Sequence, residues 1–276
     1  MILKCGNREF IFGHKTYVMG VINVTPDSFS DGGRFKTLNS VISCAEQMLE
    51  DEVDVIDVGG ESTRPFSNEV NLEEELRRVL KVISSLATRG ITNISIDTRK
   101  AEVARQCLSE GASWINDVSA FSDVKMLEVA SKADALVIVH SRGSPDVMQK
   151  NKIIYDDVVS EVGDFLRKKV NFASEYNISK KKILVDQGIG FGKTLKHNLQ
   201  LSRQLKKFKN IGAGVLYGPS RKAFLGEISN IKKPAERDAA TLGAIAFACM
   251  NNTDMVRVHD VKGTVKMLKV LQKLKE

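Results

Sequence analysis

Residues 17–33 read YVMGVINVTPDSFSDGG, an apolar run that turns polar at Asn23. The run is apolar with a β-branched bias at Val18, Met19, Val21 and Ile22. A short run of this kind indicates a buried strand. The residues after Asn23 are rich in turn formers and include two carboxylates and one aromatic side chain. A strand that ends on a carboxamide and opens into a charged loop is typical of the rim of an active site.

This arrangement recurs along the chain. Further apolar runs end on or beside polar side chains, at Asp57, Asp97, Asn116, His140, Asp186, Ser220 and Arg257. Helical segments fill the intervals, and the longest are 155–176 and 235–250. Eight strands that alternate with eight helical segments predict an α/β protein, a single (β/α)₈ TIM barrel with one domain over residues 1–276. Residues 1–15 are expected to form a hairpin that plugs the barrel floor.

A doubly wound open sheet is the alternative fold. An open sheet concentrates its functional residues near one switch point, whereas here polar residues follow every strand. In a closed barrel the C-terminal ends of all eight strands meet at one mouth. The sequence therefore predicts an active site at that mouth.

The composition is that of an ordinary globular protein, with 276 residues of which 42% are hydrophobic and 27% are charged. The net charge of +7 favours an anionic partner, although much of the excess lies in solvated lysine clusters such as 180–182. No basic stripe is interleaved with aromatic residues. The sequence therefore disfavours nucleic-acid binding and favours small phosphorylated ligands.

Neither a membrane segment nor a disulfide framework is indicated. No apolar run approaches the roughly 20 residues that span a bilayer, and no charged-then-apolar signal opens the chain. The cysteines are scattered, at Cys5, Cys44, Cys107 and Cys249. This usage predicts a cytoplasmic protein that does not contact a membrane.

The residues at the strand ends indicate two subsites. Asp97, Asn116 and Asp186 can accept hydrogen bonds from the ring N–H and amino groups of a guanine-like ring. Lys222 can donate to the carbonyl or a ring nitrogen of the same ring. This set predicts that one subsite holds a flat heterocycle.

The second subsite is cationic. Arg64, Arg257 and His259 are donors for an oxyanion, and a phosphate or pyrophosphate fits them better than a single carboxylate. Asn23 is a poor base but a reasonable oxygen ligand for Mg²⁺, which takes few protein ligands and several phosphate oxygens.

Each of these residues also has an ordinary structural interpretation. Asp97 and Asp186 can cap the helices that follow them, and Asn23 can be a turn former. Arg221 and Lys222 can be solvated charges at a helix start. Read jointly in strand order, the set favours a functional site.

Other residues are interpreted as structural. Asp57 and Asp117 are expected to brace loops, Trp114 to lie in the core and His140 to be a packed histidine. The glycine-rich segment 188–194, GIGFGKT, matches neither a P-loop nor a dinucleotide fingerprint. Its glycines are expected to allow a tight turn that brings Phe191 over the pocket.

The chain resembles the dihydropteroate synthase family over essentially its whole length. The matching stretches are 19–33 (MGVINVTPDSFSDGG), 57–65 (DVGGESTRP), 95–104 (SIDTRKAEVA), 115–119 (INDVS), 186–194 (DQGIGFGKT), 218–226 (GPSRKAFLG) and 257–260 (RVHD). The resemblance implies a pterin pyrophosphate substrate, p-aminobenzoate as the nucleophile, 7,8-dihydropteroate and pyrophosphate as products, Mg²⁺ and a homodimer.

The resemblance also implies roles by position. Catalytic roles fall on Asp97, Lys222, Arg257 and His259. Substrate binding is implied for Thr63, Arg64, Asp97, Asn116, Asp186, Phe191, Ser220, Lys222, Arg257 and His259. Asn23 looks like the metal ligand. Two mobile loops that order around substrate are implied at Asp27, Phe29 and Asp31 in one and at Thr63, Arg64 and Pro65 in the other.

The sequence departs from the family pattern at a few positions. Phe66 stands where glycine is common, and it is expected to narrow the p-aminobenzoate slot. Ala223 stands where some members have a serine whose hydroxyl meets the p-aminobenzoate carboxylate. His140 is followed by Ser141 and Arg142, where many members carry a methionine first.

Two other functions remain open on the sequence. A methyltetrahydrofolate-binding methyltransferase is also a pterin-binding barrel, but it lacks pyrophosphate chemistry and needs a cobalamin partner. A non-catalytic pterin-binding barrel would predict a degraded first loop or a lost cationic cluster. Both elements are intact here, which favours the synthase.

Overall fold

A computed structural model of the chain describes residues 1–6, 8–24, 37–62, 69–143 and 153–275. The strands are β1 (Ile2–Cys5), β2 (Arg8–Ile11), β3 (Tyr17–Asn23), β4 (Val55–Gly59), β5 (Ile94–Asp97), β6 (Trp114–Asp117), β7 (Ala135–Val139), β8 (Ile183–Asp186), β9 (Gly214–Tyr217) and β10 (Met255–Val258). The helices are α1 (Leu38–Glu50), α2 (Leu72–Ala87), α3 (Ala101–Ser109), α4 (Lys125–Ser131), α5 (Val158–Glu175), α6 (Leu195–Arg203), α7 (Ala223–Ser229), α8 (Asp238–Met250) and α9 (Val261–Lys275).

Strands β3 to β10 form a closed parallel barrel. Each strand pairs with its neighbours in chain order, and β10 closes the barrel by pairing with both β9 and β3. A parallel sheet needs a long crossover between strands, and the helices supply it. The prediction of a TIM barrel is confirmed, and the open-sheet alternative is wrong.

The helices begin at residues suited to cap them. In α1 the side chain of Thr37 accepts from the backbone N–H of Ser40, whose own hydroxyl accepts from the backbone of Thr37. In α2 the side chain of Asn71 accepts from the backbone N–H of Glu74, within a first turn that carries three glutamates. Within the described part of the chain, no helix combines the length and the apolar character that crossing a bilayer requires.

The N-terminal strands plug the barrel floor, as expected. β1 and β2 pair antiparallel, and their inner residues pack with the lumen-facing side chains of the barrel. Trp114 is fully buried there; its indole N–H donates to Cys5 Sγ at 3.0 Å, and its ring lies edge-on to Phe10 at 5.2 Å. Burial of each large aromatic side chain contributes about 1.5–3 kcal/mol, so the hairpin is part of the core.

Inward-facing residues alternate along each barrel strand with residues that pack against the helices. Met19, Val55, Trp114, Leu184 and Met255 belong to the apolar cluster in the lumen. Residues two positions further towards the C-terminal end of the same strands also face inward, because side chains alternate with a period of two. This parity directs the polar residues near the strand ends into the mouth.

Candidate active site

The ends of neighbouring strands lie level with one another at the barrel mouth. In the strand register Asn23 is paired with Gly59, Gly59 with Asp97, and Asp97 with Asn116. A Cβ placed on Gly59 would lie 3.7 Å from both Asn23 Oδ1 and Asp97 Oδ2. Position 59 therefore lies between these two polar side chains, which flank it across β4.

Arg257 is the centre of a hydrogen-bonded network that crosses the mouth. Its Nε donates to Asp57 Oδ2 and its Nη2 to Asp97 Oδ2, both at 2.6 Å. Asn116 Nδ2 also donates to Asp57 Oδ2, at 3.2 Å. The network joins β10, β4, β5 and β6, and it places two carboxylates against one guanidinium.

Three acceptor atoms in this network have no hydrogen-bond donor among the described residues. They are Asp57 Oδ1, Asp97 Oδ1 and Asn116 Oδ1, and all three are buried. A buried acceptor without a donor costs about 1–3 kcal/mol. Such a group of acceptors is suited to a ligand that brings several N–H groups into the mouth.

The pKa values at the mouth are set by burial and by the guanidinium of Arg257, which pairs with both carboxylates. Burial raises the pKa of Asp97 to about 7; Arg257 opposes this shift and the nearby Asp57 adds to it. Burial alone would lower the pKa of Arg257, but the two carboxylates outweigh it and raise that pKa. The guanidinium therefore stays charged, while one carboxylate next to it holds a proton unusually well.

Asp186 ends β8 and is buried beside the same mouth. Its Oδ1 accepts from the backbone N–H of Gly188 at 2.7 Å, and burial raises its pKa despite that bond. Gly188 has φ +65°, and a Cβ there would lie 1.8 Å from the carbonyl oxygen of His140. Only glycine fits this position, so the interpretation of a tight turn after β8 is confirmed.

The turn brings Phe191 to the mouth beside Lys222. Lys222 Nζ lies 3.9 Å from the centroid of the Phe191 ring, a cation–π contact. Ser220 and His259 form a second pair at the rim: Ser220 Oγ is 2.9 Å from His259 Nδ1 and accepts from the backbone N–H of His259 at 3.1 Å. The cationic and hydroxyl-bearing side chains thus border the acceptor network.

Asp57 was interpreted as a loop-bracing residue, and that interpretation is wrong. Its side chain is fully buried in the mouth and bonds to Arg257 and Asn116. Strand parity could have found it, because Asp57 lies two residues after the inward-facing Val55. Asp117, one position out of phase with Asn116, does brace its loop, since it accepts from the backbone N–H groups of residues 119 and 121.

A buried lysine under the mouth was also missed. Lys193 Nζ lies 2.9 Å from His140 Nδ1 and donates to the carbonyl oxygen of Phe191 at 2.9 Å. Burial lowers the pKa of Lys193 to about 7 and that of His140 to about 3. His140 also packs edge-on against Phe165 at 4.8 Å, which agrees with the packed histidine that was expected. No sequence signal pointed to Lys193, because its partner lies 53 residues away.

Part of the predicted site lies outside the described residues. This applies to the two predicted mobile loops, at Asp27, Phe29, Asp31, Thr63, Arg64 and Pro65, and to Phe66, which is expected to narrow the p-aminobenzoate slot. The other predicted residues lie at the mouth. Ser220 and His259 lie at its rim, and the rest belong to the acceptor network or border it.

The residues present can accept a magnesium ion. The carboxamide oxygen of Asn23 lies at the level of the network and is a hard oxygen ligand. Among the described residues no group of three or more His, Cys, Asp and Glu side chains could hold a metal by itself. That donor set fits a Mg²⁺ ion that takes most of its ligands from water and phosphate oxygens.

Comparison with known proteins identifies the family. Residues 19–259 match the family described as pterin binding enzyme. The dihydropteroate synthase of Synechocystis sp. is 42% identical over 274 residues, covering 99% of this chain and 94% of that protein. The Escherichia coli dihydropteroate synthase is 41% identical over 257 residues, covering 93% of this chain and 90% of that protein.

Solved structures show the same similarity. The Yersinia pestis dihydropteroate synthase, in a complex with a sulfonamide drug, superposes with a TM-score of 0.93 at 36% identity, covering 100% of this chain and 99% of that one. The Xanthomonas albilineans dihydropteroate synthase in complex with 7,8-dihydropteroate superposes with a TM-score of 0.87 at 36% identity, with the same coverage of both chains. The chain therefore belongs to the pterin-binding enzyme family and, within it, to the dihydropteroate synthases.

Proposed function

We propose that this chain condenses dihydropterin pyrophosphate with p-aminobenzoate to form 7,8-dihydropteroate and pyrophosphate. The observation that carries the proposal is the row of buried acceptors on Asp57, Asp97 and Asn116 to which no described residue donates. A pterin ring offers ring N–H and amino donors on one edge, and those donors match acceptors held at neighbouring strand ends. The Xanthomonas albilineans dihydropteroate synthase, solved with 4-aminobenzoic acid and in complex with 7,8-dihydropteroate, supports the same reaction.

The ring is bound through both edges. Asp97, Asn116 and Asp186 accept hydrogen bonds from its N–H and amino groups. Lys222 donates to the ring carbonyl or a ring nitrogen from the opposite side, and its contact with Phe191 supports this orientation. Because the acceptors are preorganised by Arg257, little reorganisation is needed when the ring binds.

In the chemical step, the C–O bond to the pterin methylene carbon is replaced by a C–N bond. The C–O bond breaks and its electron pair leaves with pyrophosphate, which produces a cation delocalised into the ring. Asp57 and Asp97 stabilise that cation, while Arg257 and His259 stabilise the charge on the leaving group. The amine of p-aminobenzoate then forms the C–N bond with its lone pair and releases a proton to the departing pyrophosphate or to water.

We infer that Mg²⁺ binds at the mouth with Asn23 as its protein ligand. When bound, the ion neutralises charge on the pyrophosphate oxygens. Activity is expected to be lost in excess chelator and to return on addition of Mg²⁺. An Asn23→Ala variant should require a higher Mg²⁺ concentration, and an unchanged Mg²⁺ dependence in that variant would contradict this ligand assignment.

The loops outside the described residues are proposed to complete the site. Asp27, Phe29 and Asp31 lie in the first, and Thr63, Arg64 and Pro65 lie in the second. The proposal rests on the sequence stretches they share with the family. Exclusion of water by these loops would protect the cation from hydrolysis.

We propose that the enzyme is a homodimer that associates through α8. This helix carries apolar residues all round, and one side packs on the barrel through Ile245 and Ala248. On the other side Phe247 is 45% exposed and Met250 is 65% exposed, and a Cβ added at Gly243 would meet no atom within 4 Å. An exposed apolar helix face of this kind is typical of a subunit interface.

Light scattering of the purified chain tests the dimer. We expect the mass of two chains for the wild type and of one chain for Phe247→Glu. Lys262→Glu, on α9, is the charge-changing control. A wild-type mass of one chain at micromolar concentration would rule out this assembly.

We propose a cytoplasmic location and a single domain. None of the four cysteines forms a disulfide bond within the described part of the chain, which supports a reducing compartment. The apolar clusters inside and outside the barrel rest on the same strands, which supports one folding unit.

The decisive experiment measures pyrophosphate release from dihydropterin pyrophosphate in the presence of Mg²⁺, with and without p-aminobenzoate. Release should depend on the amine and should match the amount of 7,8-dihydropteroate formed. Release without dependence on the amine would indicate simple hydrolysis. Binding of the pterin without any release would indicate a pterin-binding barrel that lacks this catalysis.

A further inference from the structure

Arg221 lies between two residues of the proposed site but turns away from the mouth. Its guanidinium is held by both carboxylate oxygens of Asp238, the first residue of α8, with Nε to Oδ1 at 2.7 Å and Nη2 to Oδ2 at 2.6 Å. A bidentate pair of this kind is both strong and specific in its geometry. The charge at position 221 is therefore committed to α8.

The backbone of Arg221 is bound by the same turn of α8. Its N–H donates to Thr241 Oγ1 at 3.1 Å, and its carbonyl oxygen accepts from Arg237 Nη1 at 3.0 Å. Arg237, Asp238 and Thr241 thus bind both peptide groups and the side chain of one residue. This is more than a helix-start charge in solvent would need.

The conformation at Arg221 explains why such support is required. Its φ is +57°, in the left-handed region that disfavours a residue with a Cβ and costs about 1–3 kcal/mol. Surrounding contacts must compensate for that cost. In this chain the compensating contacts come from α8.

The residues on each side of Arg221 reach the mouth. Ser220 Oγ pairs with His259, and Lys222 Nζ lies over the ring of Phe191. The left-handed residue between them sets the direction of both side chains. A change in φ at this position would move Ser220 and Lys222 together.

We propose that Arg221 is a positioning residue: with Asp238 it fixes the left-handed turn that presents Ser220 and Lys222 to the substrate, and it does not contact the substrate itself. The proposal rests on the proposed roles of Ser220 and Lys222 in the reaction. The geometry of the site then depends on the first turn of α8, although that turn is distant from the reacting atoms.

Two single variants remove the contact from either side. In Arg221→Gly the backbone can keep its positive φ, so the variant isolates the loss of the ion pair. In Asp238→Ala the arginine itself is unchanged, but it loses its carboxylate partner. Both should lower kcat/KM at least tenfold and weaken binding of the pterin alone, because small displacements of positioned groups are costly. Glu236→Ala is the matched control, since that carboxylate pairs with Lys233 nearby and should keep wild-type kinetics.

Two further variants separate positioning from direct contact with a substrate anion. Arg221→Lys keeps the charge but not the planar fork, and it should be about as impaired as Arg221→Gly. The exchange Arg221→Asp with Asp238→Arg restores an ion pair, and aspartate tolerates positive φ. The double variant should have a kcat/KM at least threefold higher than the less active of its two component single variants.

The outcomes decide between the alternatives. If Arg221→Gly is impaired while Asp238→Ala keeps wild-type kinetics or Arg221→Lys keeps full activity, the proposal would be overturned in favour of a direct substrate contact. A lower melting temperature with unchanged kinetics in both single variants would reduce Arg221 to a purely structural role. If the wild type binds the pterin without turnover, the proposed reaction fails, whereas the pterin affinities of the variants still test Arg221.

Discussion

Buried carboxylates occur at both ends of the barrel, but they are satisfied differently. At the floor, Asp54 Oδ2 accepts from the backbone N–H of Val18 at 2.7 Å, and its other oxygen pairs with Arg8. At the mouth, Asp57 and Asp97 each keep one buried oxygen that no described residue donates to. Burial is similar at the two ends, so the difference lies in the available donors. The floor carboxylate of Asp54 is satisfied by protein groups at both oxygens, whereas the mouth carboxylates leave acceptors that a ligand can fill.

Strand polarity explains this asymmetry. Parallel strands present backbone N–H groups at their N-terminal ends, and these donate to carboxylates at the floor, as Val215 does to Asp254 at 2.9 Å. At their C-terminal ends the strands present carbonyl groups, which cannot donate. Carboxylates placed there depend on side chains such as Arg257, on loop N–H groups and on substrate. The same residue type is thus satisfied within the protein at one end and keeps acceptor atoms for a ligand at the other.

The largest expected effect is the loss of activity in Asp97→Asn. The substitution keeps the size of the side chain but removes the proposed acceptor for the ring and the charge proposed to stabilise the cation. We expect kcat/KM to fall roughly 100- to 1,000-fold, the range seen when one preorganised electrostatic group is removed. Thermal unfolding should change little, because loss of the ion pair with Arg257 is offset by removal of a buried negative charge whose Oδ1 has no donor among the described residues.

Asp54→Asn at the floor is the matched variant. It should lower the free energy of unfolding by about 1–3 kcal/mol, through loss of the pair with Arg8, and keep the wild-type kcat. Steady-state kinetics and urea unfolding of both variants make the comparison. Equal losses of activity in the two would remove the distinction between mouth and floor.

Substitutions of aromatic residues should also differ between the two ends, with the larger loss of stability at the floor and the effect on kinetics at the mouth. Phe10 is fully buried in the floor plug, and Phe10→Ala should cost about 3–5 kcal/mol of unfolding free energy with no change in kcat. Phe191 is only half-buried beside Lys222, so Phe191→Ala should cost less stability and raise the KM of the substrates. A stability loss in Phe191→Ala as large as that in Phe10→Ala would show that the mouth aromatic is also core.

The pH dependence of the mouth has a definite sign. Burial raises the pKa of Asp97 from an ordinary 3.8 to about 7, so between these values the folded protein binds a proton that the unfolded chain releases. The contribution of Asp97 to stability is therefore present below about pH 4 and is lost as the pH rises to about 7. Binding of a pterin needs the ionised carboxylate and should tighten over the upper part of the same window.

Urea unfolding and pterin titration, each measured against Asp97→Asn from about pH 4 to about pH 8, test these opposite slopes. The difference between wild type and variant should fall with rising pH for stability and grow for affinity. Parallel trends in the two measurements would contradict the assignment of the shift to Asp97.

The fold was predictable because its signals are local. Each barrel strand is a short apolar run, and each ends on polar residues, so chain order alone indicated a barrel with one mouth. The floor hairpin was predictable for the same reason. Asp57 was missed because it was judged by itself and not by its parity with Val55, although that information is in the sequence.

Other parts of the site depend on contacts that no local pattern reveals. Arg257 meets Asp57 across 200 residues, and Lys193 meets His140 across 53. The orientation of Arg221 depends on a positive φ, and nothing about an arginine indicates one. Such positions follow from closure of the barrel and from the packing of α8, which are properties of the assembled chain.

The smallest expected effect comes from adding a donor at the mouth. Ala223 begins α7 and is exposed next to Lys222, and Ala223→Ser would place a hydroxyl where the p-aminobenzoate carboxylate is expected. One added hydrogen bond contributes about 0.5–1 kcal/mol, which corresponds to roughly a two- to fivefold lower KM for p-aminobenzoate. Ala213→Ser adds the same hydroxyl at the floor, where Ala213 is buried, and it should cost stability without changing KM. An unchanged or higher KM in Ala223→Ser would mean that the mouth already supplies its donors to the carboxylate, so that the shortage of donors there concerns the pterin subsite alone.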